Sequence, residues 1–201
     1  MKLQVLHSDN PTSMLRALKR GHISKSEAAR LYGQILLHLN AGSADQATSA
    51  AEQLLAIQPH NHSARLAAAR VAMETRDYDR AESLLTSVTN IRPDYYAATD
   101  VLVETLVQQR ETKAAERVIR QYLRSTSQPV PAVYRKYAQV LQRNGQLTAA
   151  HEAMADYYFS LDEARVAMGQ LELALKSADE DSNASSRVNA RLQEVRRALV
   201  K

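Results

Sequence analysis

Displaced by 34 residues, the chain falls into register with itself, and this recurrence constrains its fold more than any other feature. Ala47, Ala81 and Ala115 share one column. Ala50 aligns with Leu84 and Val118, Ala51 with Leu85 and Ile119, and Leu54 with Val88 and Tyr122, while Pro59 and Pro93 close successive copies. A fourth copy follows at Ala150, Met154 and Tyr157, one residue late, a shift that the insertion Pro129-Val130-Pro131 could introduce. Positions three, four and seven apart lie on one face of an α-helix, and a small residue on that face lets a second helix approach closely. One helix pair cannot bury its apolar face alone, so the copies must stack. Proline lacks an N–H and disfavours helix in the residue before it, so the chain turns at Pro59 and Pro93.

Composition agrees with helices throughout. Gly and Pro number five each while 45% of residues are hydrophobic, which leaves few and short loops. No β-branched runs bounded by Gly or Asn-Gly turns are present. The pattern predicts helices at 12–20, 24–40, 44–57, 62–75, 78–91, 95–109, 112–125, 131–144, 147–160, 163–178 and 184–199. Ser24-Lys25-Ser26-Glu27, Ser43-Ala44-Asp45-Gln46 and Ser160-Leu161-Asp162-Glu163 read as capping boxes, and Asp77 reads as a further N-cap. Gly42 and Gly145 fall in turns that call for positive φ. The polar stretch Ser177–Ser186 reads as a loop. In the final helix Val188, Leu192, Val195 and Leu199 form one stripe, with Arg187, Arg191 and Arg197 off it, as a terminal cap requires. The expected fold is therefore all-α, a right-handed superhelical solenoid of about ten or eleven helices in antiparallel pairs, spanning 24–201 behind a lead-in at 1–23.

Several function classes find no support in the residues. The net charge of +4 arises from 26 basic and 22 acidic residues that are interspersed, with no basic run or zinc-finger spacing, so nucleic acid is not an expected partner. Without cysteine there is no disulfide, thiolate metal site or cysteine nucleophile. No apolar run approaches the ~18 residues of a membrane span, so no membrane insertion is expected. His60 and His62 have a spacing that could hold a surface ion, but the turn offers no carboxylate, and a solvated loop with a helix start at Asn61 or Ser63 is the simpler reading. Asp179-Glu180-Asp181 lacks the spacing of a calcium loop, and no G-x-S-x-G elbow is present. Tyr134 and Tyr137, one turn apart, read as core, and Tyr95 or Tyr96 as half exposed. No cofactor is expected.

A 34-residue helix–turn–helix period is that of the tetratricopeptide repeat. A narrower resemblance rests on His151-Glu152-Ala153-Met154-Ala155-Asp156-Tyr157-Tyr158-Phe159, then Gly169-Gln170-Leu171-Glu172-Leu173-Ala174-Leu175, then Arg187 with Asn189-Ala190-Arg191-Leu192. With Tyr32-Gly33 at the first repeat, these residues resemble the carboxy-terminal tetratricopeptide domain of periplasmic zinc metalloproteases of the β-barrel assembly-enhancing type. The family's HExxH is missing, since His151-Glu152 is followed by Ala153-Met154-Ala155, and Ile35 stands where that family usually has a small residue. The resemblance implies a binding domain whose zinc belongs to a missing peptidase half, with 1–23 the remnant of the connection to it. It also implies a periplasmic location and a role in outer-membrane protein quality control.

Function is expected on the concave surface, which first helices line in such a superhelix. The faces opposite the packing residues present Tyr32, Leu36, Arg70, Met73, Asp100, Glu104, Gln108, Arg135, Gln139 and Arg143, a surface of mixed charge. Asp100 and Glu104 stand where grippers of a terminal carboxylate carry Lys and Asn, which disfavours an acidic tail as ligand. The expected role is protein–protein interaction, recognising clients or an outer-membrane assembly partner for an attached protease. The alternative is a free-standing adaptor or scaffold unrelated to proteolysis.

Overall fold

The structure, a computed structural model, describes residues 27–178 and 181–199. Among these lie ten helices: α1 Glu27–Asn40, α2 Ala44–Ile57, α3 His62–Glu74, α4 Tyr78–Ile91, α5 Tyr96–Gln108, α6 Thr112–Ser125, α7 Pro131–Arg143, α8 Leu147–Phe159, α9 Ala164–Ser177 and α10 Ser182–Leu199. No strand occurs among the described residues. Every expected helix from residue 44 onward is present. The helix expected at 12–20, the lead-in 1–23 and the cap residues Ser24, Lys25 and Ser26 lie outside the described residues.

Not every expected cap is used. Asp77 accepts from the Arg80 N–H at 3.2 Å, and Asn61 accepts from Ser63 and Ala64 at 2.9 and 3.1 Å, so both hold helix starts as N-cap oxygens do. Ser43 occupies its N-cap position without a side-chain bond. Ser160 is no N-cap at all: α9 starts behind Glu163, and the Ser160 hydroxyl donates back to the Tyr157 carbonyl at 2.6 Å. A competing bond to the preceding turn has captured it. The loop expected over Ser177–Ser186 is shorter than anticipated, because the Asp181 carboxylate accepts from Asn183 and Ala184, each at 3.0 Å, and starts α10 at Ser182.

One turn geometry recurs. The residue in left-handed conformation is Gly42 (φ 66°), Arg76 (61°), Arg110 (65°) and Gly145 (75°) in the four turns that close helix pairs, and Asp162 (61°) between α8 and α9. In each, the next N–H reaches five residues back, as Asp77 does to Ala72 (2.8 Å) and Gln146 to Leu141 (2.9 Å), which satisfies carbonyls at the helix end.

The chain divides into two compact units, one ending at Arg92 and the other beginning at Pro93. In the first, α1 pairs with α2 and α3 with α4, α2 lies on α3, and α1 also touches α3. Its core joins Leu31, Ile35, Leu54 and Val71 across a floor of Ala47, Ala50, Ala51, Ala64, Ala67 and Ala68. The column alanines Ala47 and Ala81 are fully buried, so the small residue sits where two helices cross.

In the second unit each helix from α5 to α10 packs on the next, and α10 also reaches α8. Ala115 repeats the fully buried crossing. Ala138, Leu141, Ala150 and Ala153 form one core cluster, and Leu171, Val188, Leu192 and Val195 belong to another. Leu199 departs from its expected stripe and is exposed, as is every residue after Val195 in α10. Tyr134 and Tyr137 are half-buried rather than core, whereas Tyr122 fills that role.

Candidate partner-binding surface

In the second unit, α5 and α7 stand side by side as the first helices of consecutive pairs. Each brings four residues to the space between them, spaced as one helix face demands. From α5 come Val103, Glu104, Val107 and Gln108, and from α7 come Lys136, Gln139, Val140 and Arg143. Together they line a cleft of about 230 Å³. Valines form its floor, while exposed Glu104, Gln108, Gln139 and Arg143 form its rim.

Electrostatics fix one end of this cleft. Lys136 pairs with the Asp100 carboxylate and also donates to the Asp100 carbonyl at 3.2 Å, tying α7 to α5. The Tyr96 hydroxyl donates to Asp100 at 3.2 Å. Burial, reinforced by the Asp100 charge, pushes that hydroxyl up to about 12, so it remains a donor at any physiological pH. The Tyr96 ring lies 5.8 Å from that of Tyr122, whose own hydroxyl accepts from the Val130 N–H at 3.1 Å. The opposite end of the cleft, at Gln108 and Arg143, carries no such tie. Four amide and charged side chains are thus free to present both donors and acceptors along one wall and the other.

The residues singled out from sequence divide accordingly. Glu104, Gln108, Gln139 and Arg143 come together on the cleft rim. Asp100 is half-buried in its bonds to Lys136 and Tyr96, and Arg135 sits 5.8 Å over the Tyr157 ring, so both have intrachain work. In the first unit, Arg70 is exposed and Tyr32 lines a cavity of about 460 Å³ with Ala28, Leu54 and Ala64. Leu36 and Met73 are half-buried. Lys136, Val103, Val107 and Val140 escaped the sequence reading, although each pair is spaced four apart one column nearer the helix seam.

A second polar centre lies behind α7. Glu116 on α6 is nearly buried and accepts from Asn144 (2.7 Å), Gln146 (2.8 Å) and Arg120 (2.6 Å), while Arg120 also donates to the Tyr137 hydroxyl at 2.8 Å. Both carboxylate oxygens of Glu116 are engaged, so this cluster braces the α7–α8 turn. Of the pair His60 and His62, His62 opens α3 and the His60 ring lies 3.3 Å from Arg65. Among the described residues no group of three or more His, Asp or Glu is placed to hold a metal ion. Nor is any described helix long and apolar enough to cross a membrane.

The sequence matches the tetratricopeptide repeat over residues 38–100 and again over 72–140. No protein of described function matches it in sequence. Among solved structures, a double mutant of MamA RS-1 is similar with a TM-score of 0.60 at 15% identity, covering 87% of this chain and 97% of that one. MamA from Desulfovibrio magneticus RS-1 gives 0.59 at 16% identity, with coverages of 86% and 97%. A thermophilic tetratricopeptide protein of Thermus thermophilus gives 0.53 at 18%, with coverages of 83% and 99%. At these identities the likeness is one of fold.

Proposed function

The chain belongs to the tetratricopeptide repeat family, and from that premise we propose that it binds a partner polypeptide in the cleft between α5 and α7. The fold is a non-catalytic protein-interaction scaffold. One observation carries the choice of site: Glu104, Gln108, Gln139 and Arg143, exposed and unburdened by packing, converge over an apolar floor of Val103, Val107 and Val140. An extended segment suits such a wall, because its backbone offers a donor and an acceptor at each residue and the amides of Gln108 and Gln139 can meet both.

The finer proposal names the client. Resemblance of 151–192 to the tetratricopeptide end of β-barrel assembly-enhancing metalloproteases supports a periplasmic domain that hands outer-membrane polypeptides, or a barrel-assembly component, to an attached zinc peptidase. Several residues that carry this resemblance have structural partners: His151 meets Gln170 at 3.0 Å, Glu152 receives Arg187, and Asp156 receives Arg191. They tie α8 to α9 and α10. The adaptor reading remains the alternative, and a client test separates the two.

The test uses a fluorescently labelled, denatured outer-membrane β-barrel polypeptide diluted into the protein, read by anisotropy. Saturable binding that Glu104→Lys with Arg143→Glu weakens about tenfold or more, with melting unchanged, is the expected result, because rim charges set association more than stability. Binding unaffected by that pair of changes would move the site elsewhere. No binding of the unfolded barrel, with a folded partner bound instead, would favour the adaptor.

A further inference from the structure

Helix α9 carries a second face that the cleft does not explain. It buries Ala167, Leu171 and Ala174 within the C-terminal core. Turned away from these, Val166 and Leu173 are 44% and 41% exposed, with exposed Gly169 between them. A Cβ placed on Gly169 would meet nothing within 4 Å, so packing inside this chain does not call for glycine there. Arg165 and Glu172 are exposed along the other edge of the same face. Neither side chain makes an ion pair or hydrogen bond among the described residues.

We infer that this face of α9 docks against the same face of a second copy of the chain, the two helices antiparallel and crossing at Gly169. That face is self-complementary. With 3.6 residues per turn, Val166 and Leu173 lie on one side of Gly169, and Arg165 and Glu172 on the other. A two-fold axis beside Gly169, perpendicular to the helix, reverses the helix direction but keeps each side on its own side. It therefore sets Val166 against the second copy's Leu173 and Arg165 against the second copy's Glu172, and repeats both contacts by symmetry. Gly169 at the axis admits the close backbone approach that the crossing alanines provide inside the pairs. A face with unlike charges seven residues apart on one edge and apolar residues seven apart on the other fits its own copy, setting Arg165 against Glu172 rather than against its like.

So small a surface predicts a transient dimer rather than an obligate one. The inference goes beyond the cleft, and its readout is mass rather than ligand binding, so either can fail alone. Sedimentation velocity of the full chain over a range of concentrations should show reversible monomer–dimer exchange. Arg165→Glu and Glu172→Arg, each placing two pairs of like charges together, should each weaken it about tenfold or more. The combined exchange, Arg165→Glu with Glu172→Arg, should restore it. Gly169→Gln, which has room in the monomer, should abolish it while leaving the melting transition in place. A wild-type protein that stays monomeric overturns the inference, as does association that Gly169→Gln tolerates or that the combined exchange fails to restore.

Discussion

The first unit and the C-terminal end of the second are built from the same helix pair, yet they are held differently. In α1–α4 the crossings are apolar, a floor of alanine under Leu31, Ile35 and Leu54, with few side-chain links such as Arg65 to Ser87 at 2.7 Å. In α8–α10 the apolar face of Leu171, Val188 and Leu192 is edged by arginine–carboxylate bonds. Arg187 grips Glu152 through two bonds of 2.9 Å, and Arg191 bonds Asp156 at 2.8 Å and Glu194 at 2.6 Å while lying 5.0 Å over Phe159. In α1–α4 the small alanines let the helices be positioned by shape. In α8–α10 charged bonds at the rim help set the register of α10 while burial supplies most of its stability.

That division ranks the effects of substitution. If burial dominates at both ends, Leu54→Ala and Leu192→Ala should each cost about 2–5 kcal/mol in denaturant unfolding, since both are nearly fully buried. A cost at Leu192 well below that at Leu54 would mean that the arginine bonds, not the core, hold α10. Next come the crossings, where Ala81→Phe and Ala115→Phe should each cost about 1–3 kcal/mol or more by overpacking. Melting midpoints unchanged in both would break the assignment of these columns.

Sequence alone revealed the helices because their signal is periodic and local. The alanine column, Pro59 and Pro93 are each visible in a single line of text. What escaped notice depended on choices between competing bonds or neighbours. Ser160 had an N-cap's spacing but found the Tyr157 carbonyl first. Asp181 read as one member of an acidic run, and only its distance to the Asn183 and Ala184 N–H groups makes it a cap. At the cleft, face projection found the rim residues Glu104, Gln108, Gln139 and Arg143, since exposure follows the helical period. It missed that Lys136 answers Asp100, a relation between helices 36 residues apart in sequence.

The rim bonds make a smaller, pH-dependent prediction. Burial pushes the Asp156 carboxyl above its ordinary 3.8, and Arg191 pulls against that shift. A carboxyl whose pKa is raised on folding contributes most at low pH, and its contribution falls as pH rises through the folded value. Arg191→Ala removes the counter-pull, so the variant should lose stability relative to wild type near neutral pH, by up to about 1 kcal/mol for groups this exposed, and the gap at Asp156 should close on acidification. Urea unfolding of both proteins from pH 3 to 7 reads this directly. A gap independent of pH would assign Arg191 a packing role on Phe159 instead.

The smallest effect lies in the turns, where the same left-handed position is glycine at 42 and 145 but arginine at 76 and 110. A side chain in that conformation costs roughly 1–2 kcal/mol through its Cβ, whereas glycine costs roughly 0.5–1 kcal/mol more than other residues in lost backbone freedom. The difference favours glycine by about 0.5 kcal/mol. Arg76→Gly and Arg110→Gly should therefore each raise the unfolding midpoint slightly, and Gly42→Ala should lower it by a similar amount, since a Cβ there meets no neighbour and only the backbone angle is strained. If Arg76→Gly instead destabilises, the arginine side chain contributes a contact worth more than its strain, and the turns of the two kinds are not interchangeable.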